Sequence, residues 1–197
     1  VGGHTIRQDT KINFSSILFD TIFGLIIFFS LDSILEVKGT VNFIFYIFTL
    51  IIVVHWWLIF KSADDAFSEE VTDSAADLVF GIIYVILLEY VVLYSKTANF
   101  KASTAFLISL LIIDLIWTLT WRYVGSWNTK DPEKIKFMEK ELNHNIKINI
   151  VAIGLFGGLI LLFNQLASGP YVAFFIASYL IYILLTFKTK IIDLRIF

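Results

Sequence analysis

Residues 40–60 read TVNFIFYIFTLIIVVHWWLIF, a run of 21 residues that contains no Asp, Glu, Lys or Arg. An α-helix needs about 20 mostly apolar residues to cross a bilayer core that is about 30 Å thick, so this run predicts a transmembrane helix. Five further stretches of the chain are similar. The six predicted spans are Phe14–Leu35, Thr40–Phe60, Asp73–Tyr94, Thr104–Tyr123, Ile148–Leu166 and Pro170–Phe187. The predicted fold class is therefore an all-α, polytopic membrane bundle, one integral membrane domain over residues 1–197.

Composition excludes most soluble classes of protein. Of the 197 residues, 58% are hydrophobic and 16% are charged, whereas soluble domains carry about 25% charged residues. A net charge of −2 offers no basic surface for nucleic acid. The chain has no cysteine, which excludes disulfides, thiolate metal sites and thiol nucleophiles. A lipid bilayer is the first partner that this composition predicts.

The distribution of basic residues predicts the orientation of the chain. With six spans, both termini lie on the same side, and 12 of the 15 Lys and Arg residues fall on that side. Lys38, Lys96 and Lys101 are the three on the other side. Because cytoplasmic loops are enriched in Lys and Arg, we expect a multi-pass protein with both termini in the cytoplasm.

The connection before the fifth span contains a helix signal. Asp131-Pro132-Glu133 is typical of an N-cap followed by proline at the first helical position. Ile135, Met138 and Leu142 then recur on one face among Lys and Glu residues. This pattern predicts a cytoplasmic amphipathic helix over 131–145 at the membrane surface. A solvated connector and a gating or partner-docking helix are both open interpretations.

Spans 1 and 3 share a motif in which a Phe-Gly pair begins three residues after an aspartate and a second acid follows twelve residues after it. The matching positions are Asp20 with Asp77, Gly24 with Gly81, and Asp32 with Glu89. A third copy is reduced to Phe156-Gly157 in span 5. Repeats of this kind predict three parallel two-helix hairpins, although chance pairing in a Phe-rich chain is the alternative.

Ionisable residues within spans are the candidate functional residues, because a charged group at the bilayer centre costs at least about 2.5–3.5 kcal/mol. They are His55, Asp77, Glu89 and Asp114. Each also has a structural interpretation. Asp77 would cap a helix start, Glu89 would reach the headgroups, and His55 and Asp114 would hydrogen-bond each other or a carbonyl. A proton relay or an ion site is the functional alternative.

The run Leu18-Phe19-Asp20-Thr21-Ile22-Phe23-Gly24-Leu25 resembles the first helix of the lysosomal and prokaryotic potassium channel family, whose six-helix units carry a Phe-Ser-Asp motif there. Tyr46, Thr49 and Trp57 fit the spacing of an aromatic, a hydroxyl residue and a tryptophan in that family's second helix. The Phe-Asp-x-x-Phe run and the paired tryptophans at 56 and 57 are also similar to the low-temperature-requirement A family.

The channel resemblance implies that the first helix lines a pore. The family's constriction would fall on Leu25 and Phe29, with Asp32 at the outer mouth. The motif residues Phe19 and Asp20, together with Trp57, would hold spans 1 and 2 together. Because one lining helix cannot enclose a pore, the resemblance also implies a homo-oligomer.

Two functions remain open from the sequence. The first is a channel or carrier for monovalent cations, potassium or protons. The second is a non-catalytic subunit that packs against other membrane subunits of a larger complex. An enzyme is not expected, since the chain has neither a His-x-x-x-His pair nor a Gly-x-Ser-x-Gly elbow. We therefore expect no cofactor and no resident metal.

Overall fold

A computed structural model describes residues 14–67, 75–124 and 130–186. These ranges form six α-helices and contain no strand, which confirms the all-α fold class. The helices are α1 (Phe14–Asp32), α2 (Thr40–Phe67), α3 (Ala75–Lys96), α4 (Phe100–Val124), α5 (Pro132–Leu162) and α6 (Ser168–Thr186). Single 3-10 turns, Ser33–Glu36 and Phe163–Gln165, follow α1 and α5.

Five helices, α2 to α6, contain stretches in the described ranges that are long and apolar enough to cross a membrane. The chain is therefore a multi-pass membrane protein. The remaining predicted span, the first in the chain, corresponds to α1, which is 19 residues long. That α1 crosses the bilayer stays a prediction, as does the cytoplasmic location of both termini.

Helix α5 differs from its prediction. The amphipathic segment 131–145 and the fifth span form one continuous helix of 31 residues. At 1.5 Å per residue it is about 46 Å long, which is longer than the bilayer core is thick. The predicted start is confirmed, because the Asp131 side chain accepts a hydrogen bond from the backbone N–H of Glu133, and Pro132 begins the helix. Charged residues change the hydropathy here, but they do not interrupt the helix.

Short connections join α1 to α2, α3 to α4, and α5 to α6, and the members of each pair pack against each other. Two contacts show that these connections lie at the same end of the bundle. Lys96 forms an ion pair with Glu36, and the Lys101 Nζ lies 5.8 Å from the centre of the Phe163 ring. We call this the Lys96 end and the opposite one the Lys61 end. Helices α1, α3 and α5 therefore run in parallel toward the Lys96 end.

Hydroxyl groups connect the helices in the half of the bundle near the Lys96 end. Thr49 of α2 and Ser95 of α3 are 2.9 Å apart, and Ser103 Oγ of α4 donates to the Val91 carbonyl of α3. Tyr171 Oη of α6 donates to Thr104 Oγ1 at 2.7 Å. Because water is absent from the bilayer core, such neutral bonds help to hold transmembrane helices together.

The glycines of the repeated motif have different environments. A Cβ at Gly81 would overlap the ring of Phe19, whereas a Cβ at Gly24 or Gly157 would meet no atom within 4 Å. The Phe19 ring of α1 therefore lies directly on the α3 backbone and also stacks on Phe60 of α2. The repeat preserves helix direction but not this packing.

Gly81→Ala should loosen α1, because its methyl group would displace the Phe19 ring. We expect a loss of about 1–3 kcal/mol in unfolding free energy, the usual cost of overpacking, measured by denaturant titration in mixed micelles. Gly24→Ala is the matched control and should cost nothing. In a Phe19→Ala background, the cost of Gly81→Ala should largely disappear; an undiminished cost would contradict the contact.

Candidate functional site

Asp114 of α4 is a buried acid in the middle of a predicted span, with 6% of its surface exposed. Its Oδ1 accepts a hydrogen bond from Tyr84 Oη of α3. Its Oδ2 accepts from Asn149 Nδ2 and, at 3.3 Å, from Asn145 Nδ2, both on α5. One carboxyl group therefore joins three helices. Asn145 Nδ2 also donates to Thr118 Oγ1 at 2.9 Å, one turn further along α4.

We call Tyr84, Asp114, Thr118, Asn145 and Asn149 the Asp114 cluster. Its depth follows from helix geometry: Asp114 lies 14 residues from the start of α4 and ten from its end. At 1.5 Å per residue these separations are about 21 Å and 15 Å. The cluster therefore lies in the middle of the bundle, slightly nearer to the Lys61 end.

The hydrogen-bond partners of Asp114 are all neutral. The ion pairs of the described residues involve Asp20, Glu36 and Glu139, and none of them includes Asp114. A carboxyl group in a low-dielectric interior is normally paired with a cation or carries a proton. The cluster thus supplies hydrogen-bond donors to a carboxyl group without supplying a positive charge.

His55 lies at a second polar contact, on α2, and it faces α6. Its Nδ1 is 2.8 Å from Tyr179 Oη, and its Nε2 is 3.4 Å from Thr186 Oγ1. The rings of Tyr179 and Tyr182 pack edge-on against the imidazole. Asp114 therefore does not bond His55, which was one structural interpretation of the sequence.

Aromatic rings separate His55 from the Asp114 cluster. Trp56 packs on Tyr84 with ring centres 5.5 Å apart and on Tyr182 with ring centres 6.3 Å apart. All three side chains are buried. Phe60 and Trp117 extend the same aromatic packing around Tyr84. The packing fixes the position of the Tyr84 hydroxyl group that donates to Asp114.

Asp20 connects α1 to α2 by polar contacts. Trp57 Nε1 donates to Asp20 Oδ1 at 2.7 Å, and Lys61 Nζ lies 3.2 Å from Asp20 Oδ2. The Asp20 and Lys61 side chains are both about two-fifths exposed. These contacts lie at the Lys61 end, beside the Phe19 ring that packs on Gly81. Phe19 and Asp20, the two residues that match the channel-family motif, therefore pack α1 against α2 and α3 within one chain.

The predicted pore-lining residues lie on the outside of the bundle. Leu25 is 48% exposed and Phe29 is 62% exposed, and Asp32 is exposed too. The opposite face of α1, with Phe23 and Ile26, packs into the core. Within one chain, the face with Leu25 and Phe29 encloses no conduit.

The other predicted acids do not join Asp114. Glu89 of α3 is exposed on the surface of the bundle. The side chain of Asp77 lies outside the described residues. Of the five acids Asp20, Asp32, Asp77, Glu89 and Asp114, only Asp114 is therefore found buried among the described residues.

Sequence reasoning missed the partners of Asp114. Asn145 falls in the predicted amphipathic segment 131–145, and Asn149 falls in the predicted fifth span, Ile148–Leu166. Their spacing of four residues places both on one face of a helix, and two amides on one face of a membrane span are a usable signal. Tyr84 carried no distinguishing signal among eight tyrosines.

In comparisons with known proteins, no family model, no curated protein and no solved structure matches the chain. The likeness of the first two helices to the potassium channel family therefore stays a prediction. Within the described ranges, no group of three or more His, Asp or Glu side chains is placed to hold a metal ion.

Asp114→Leu should destabilise the bundle by about 2–4 kcal/mol, because the Tyr84 hydroxyl and the two asparagine amides would be buried without an acceptor. Asp114→Asn keeps one carbonyl oxygen and should cost less than half as much. Asp32→Leu, at an exposed acid, is the control. Denaturant titration in mixed micelles measures all three, and a fully stable Asp114→Leu variant would contradict the structural role of the cluster.

Proposed function

We propose that this membrane protein moves cations across the bilayer, that its main substrate is the proton, and that the carboxyl group of Asp114 binds it. The observation that carries the proposal is the burial of Asp114 of α4 among neutral partners from two other helices, α3 and α5. Ionisable groups inside membrane bundles mark proton relays and ion pathways. The described partners of this buried carboxyl group carry no positive charge, so a transported cation can supply the charge that compensates it.

The chemistry of the partners favours a proton over a metal cation. Monovalent metal ions are bound by rings of oxygen acceptors. Tyr84 Oη, Asn145 Nδ2 and Asn149 Nδ2 instead direct O–H and N–H donors at the two oxygens of Asp114. These donors stabilise a carboxylate and leave no acceptor cage for potassium. A proton requires only one lone pair of the carboxyl group.

Asn149 is suited to both protonation states of Asp114. Its Nδ2 donates to Asp114 Oδ2, while its own Oδ1 is buried without a hydrogen-bond partner. A half-turn of the amide exchanges these two atoms. The Asn149 oxygen would then accept a hydrogen bond from a protonated Asp114, so the same side chain serves the charged carboxylate as donor and the neutral acid as acceptor.

Proton flux into proteoliposomes tests the proposal. The purified protein is reconstituted with a pH-sensitive dye inside the vesicles, and a potassium diffusion potential drives uptake. We expect flux above that of empty vesicles and at least a tenfold loss in Asp114→Asn. Asp32→Asn, which also removes one acid but from the exposed surface, should retain the wild-type rate.

Two outcomes would overturn the proposal. One is the absence of flux above empty vesicles under both pH and voltage gradients. The other is an Asp114→Asn variant that conducts like the wild type. Driving uptake by a pH gradient, with a large organic cation in place of potassium and sodium, separates proton flux from metal-ion flux, because a proton carrier still has its substrate and a metal-ion carrier does not.

The channel resemblance supports a different route for the same cations. It would use Leu25, Phe29 and Asp32 on the outer face of α1, and it requires further copies of the chain to enclose them. Flux that survives Asp114→Asn but changes in Phe29→Ala would favour this route.

A non-catalytic subunit is the second candidate, and exposed Glu89 supports it. This carboxyl group lies seven residues, or about 10 Å, inside the α3 end marked by Lys96. A basic group of a neighbouring subunit would compensate its charge. Extraction in mild detergent followed by intact mass spectrometry should then recover unlike chains, and Glu89→Gln should weaken the complex. Recovery of this chain alone would count against the subunit function.

A further inference from the structure

The face of α5 that contacts Asp114 continues toward the Lys61 end with one more acid. Glu141 lies four residues before Asn145, so the two share a helix face. Its side chain is 6% exposed, and its Oε2 has no hydrogen-bond partner in the described part of the chain. This is a second buried acid, one helical turn from the Asp114 cluster.

The facing residues of α4 show the same pattern. Arg122 lies four residues after Thr118, and its Nη1 is 3.7 Å from Glu139 Oε1 on α5. This contact places Arg122 opposite the turn that contains Glu141. Arg122 Nε and His144 Nε2 are also buried without hydrogen bonds, judged over the described ranges.

Arg122 Nε, Glu141 Oε2 and His144 Nε2 therefore lie within about two helical turns on the Lys61 side of Asp114, and a fourth such atom, Asn149 Oδ1, lies at Asp114 itself. Buried polar atoms almost always have partners, and ordered water supplies them where protein does not. The three atoms are a guanidinium nitrogen of Arg122, an imidazole nitrogen of His144 and a carboxylate oxygen of Glu141. Water can bridge all of these groups.

The interface is different on the other side of Asp114. Toward the Lys96 end, Leu107, Leu110, Leu111 and Phe156 are fully buried, and Ala152 is nearly so. Over the described residues, these apolar side chains belong to the hydrophobic core, where Phe156 of α5 also packs on the rings of Phe175 and Tyr179 of α6. They offer no group that would hold water or a proton.

We infer that protons reach Asp114 from the Lys61 end, along the α4–α5 interface, with Glu141 as the first acceptor. This inference rests on the proposed function and assigns its access route. A hydronium ion gives its proton to the Glu141 carboxylate and leaves water. The proton then passes through bridging water to the Asp114 carboxylate, and Glu141 returns to its charged form. Thr118 and Asn145 position the water between the two acids.

Hydrogen–deuterium exchange of the Asp114 carboxyl group tests the route without requiring transport. Infrared spectra of the reconstituted protein are recorded at acidic pH, and the Asp114 band is identified by its loss in Asp114→Asn. After transfer to deuterium oxide we expect rapid exchange in the wild type. In Glu141→Leu, which fills the path with an apolar side chain, we expect exchange at least tenfold slower.

Matched variants separate the route from general effects. Glu139→Gln changes the neighbouring exposed acid and should leave exchange unchanged. Thr104→Val removes a buried hydroxyl group near the Lys96 end and should leave it unchanged as well. Glu141→Gln keeps the shape of the side chain and should slow proton flux with a smaller effect on folding.

The outcomes are distinct. Unchanged Asp114 exchange in Glu141→Leu and Glu141→Gln would overturn the route, even if flux depends on Asp114. Slower exchange in Thr104→Val than in Glu141→Leu would overturn access from the Lys61 end. Slow exchange in both Glu141 variants without any proton flux in the wild type would support the route while refuting the proposed transport.

Discussion

The contact between Asp114 and three neutral donors is the interaction on which the central part of the bundle depends. A carboxyl group at this depth costs several kcal/mol unless its lone pairs are satisfied. Tyr84, Asn145 and Asn149 satisfy them from α3 and α5, so the acid fixes the mutual register of α3, α4 and α5. None of the three donors is charged, so the negative charge of an ionised Asp114 has no counter-charge among these partners. This is the basis of the proposal that Asp114 binds a proton.

The polar contacts between helices change in kind with depth. Neutral hydroxyl groups such as Thr49 and Ser95 join the helices near the Lys96 end. Amides and a carboxyl group join them at the centre, and ion pairs occur at both ends, Lys61 with Asp20 at one and Lys96 with Glu36 at the other. This order follows the cost of burying each group, because a full ion pair is least expensive where water and headgroups reach it.

The sequence was sufficient for the features that depend on composition along the chain. The 21 residues 40–60, which include no Asp, Glu, Lys or Arg, predict the membrane-crossing part of α2 whatever packs against it. Asp114 stands out because an acid in an apolar run is costly anywhere. Features that depend on tertiary contacts were not accessible in the same way. Spacing puts Leu25 and Phe29 on one face of α1, but only the packing of α1 shows that this face points outward. The length of α5 was missed for a related reason, since hydropathy changes at Lys147 while the helix continues.

The asymmetry around Asp114 bears on the kind of transport that one chain can perform. Polar side chains extend from Asp114 to the Lys61 end, whereas leucine and phenylalanine fill the α4–α5 interface toward the Lys96 end. The rings of Trp56 and Tyr182 close the way to His55. An open pore needs a continuous wet path, and the buried apolar side chains toward the Lys96 end interrupt such a path within one chain. A proton bound at Asp114 can leave toward the Lys96 end only if α3, α4 and α5 change their packing. Because the Asp114 contacts hold those three helices in register, a change in the protonation of Asp114 alters the contacts that such a rearrangement must break. For the proton transport proposed above, we therefore expect a single copy of this bundle to act as a carrier that alternates between two packings.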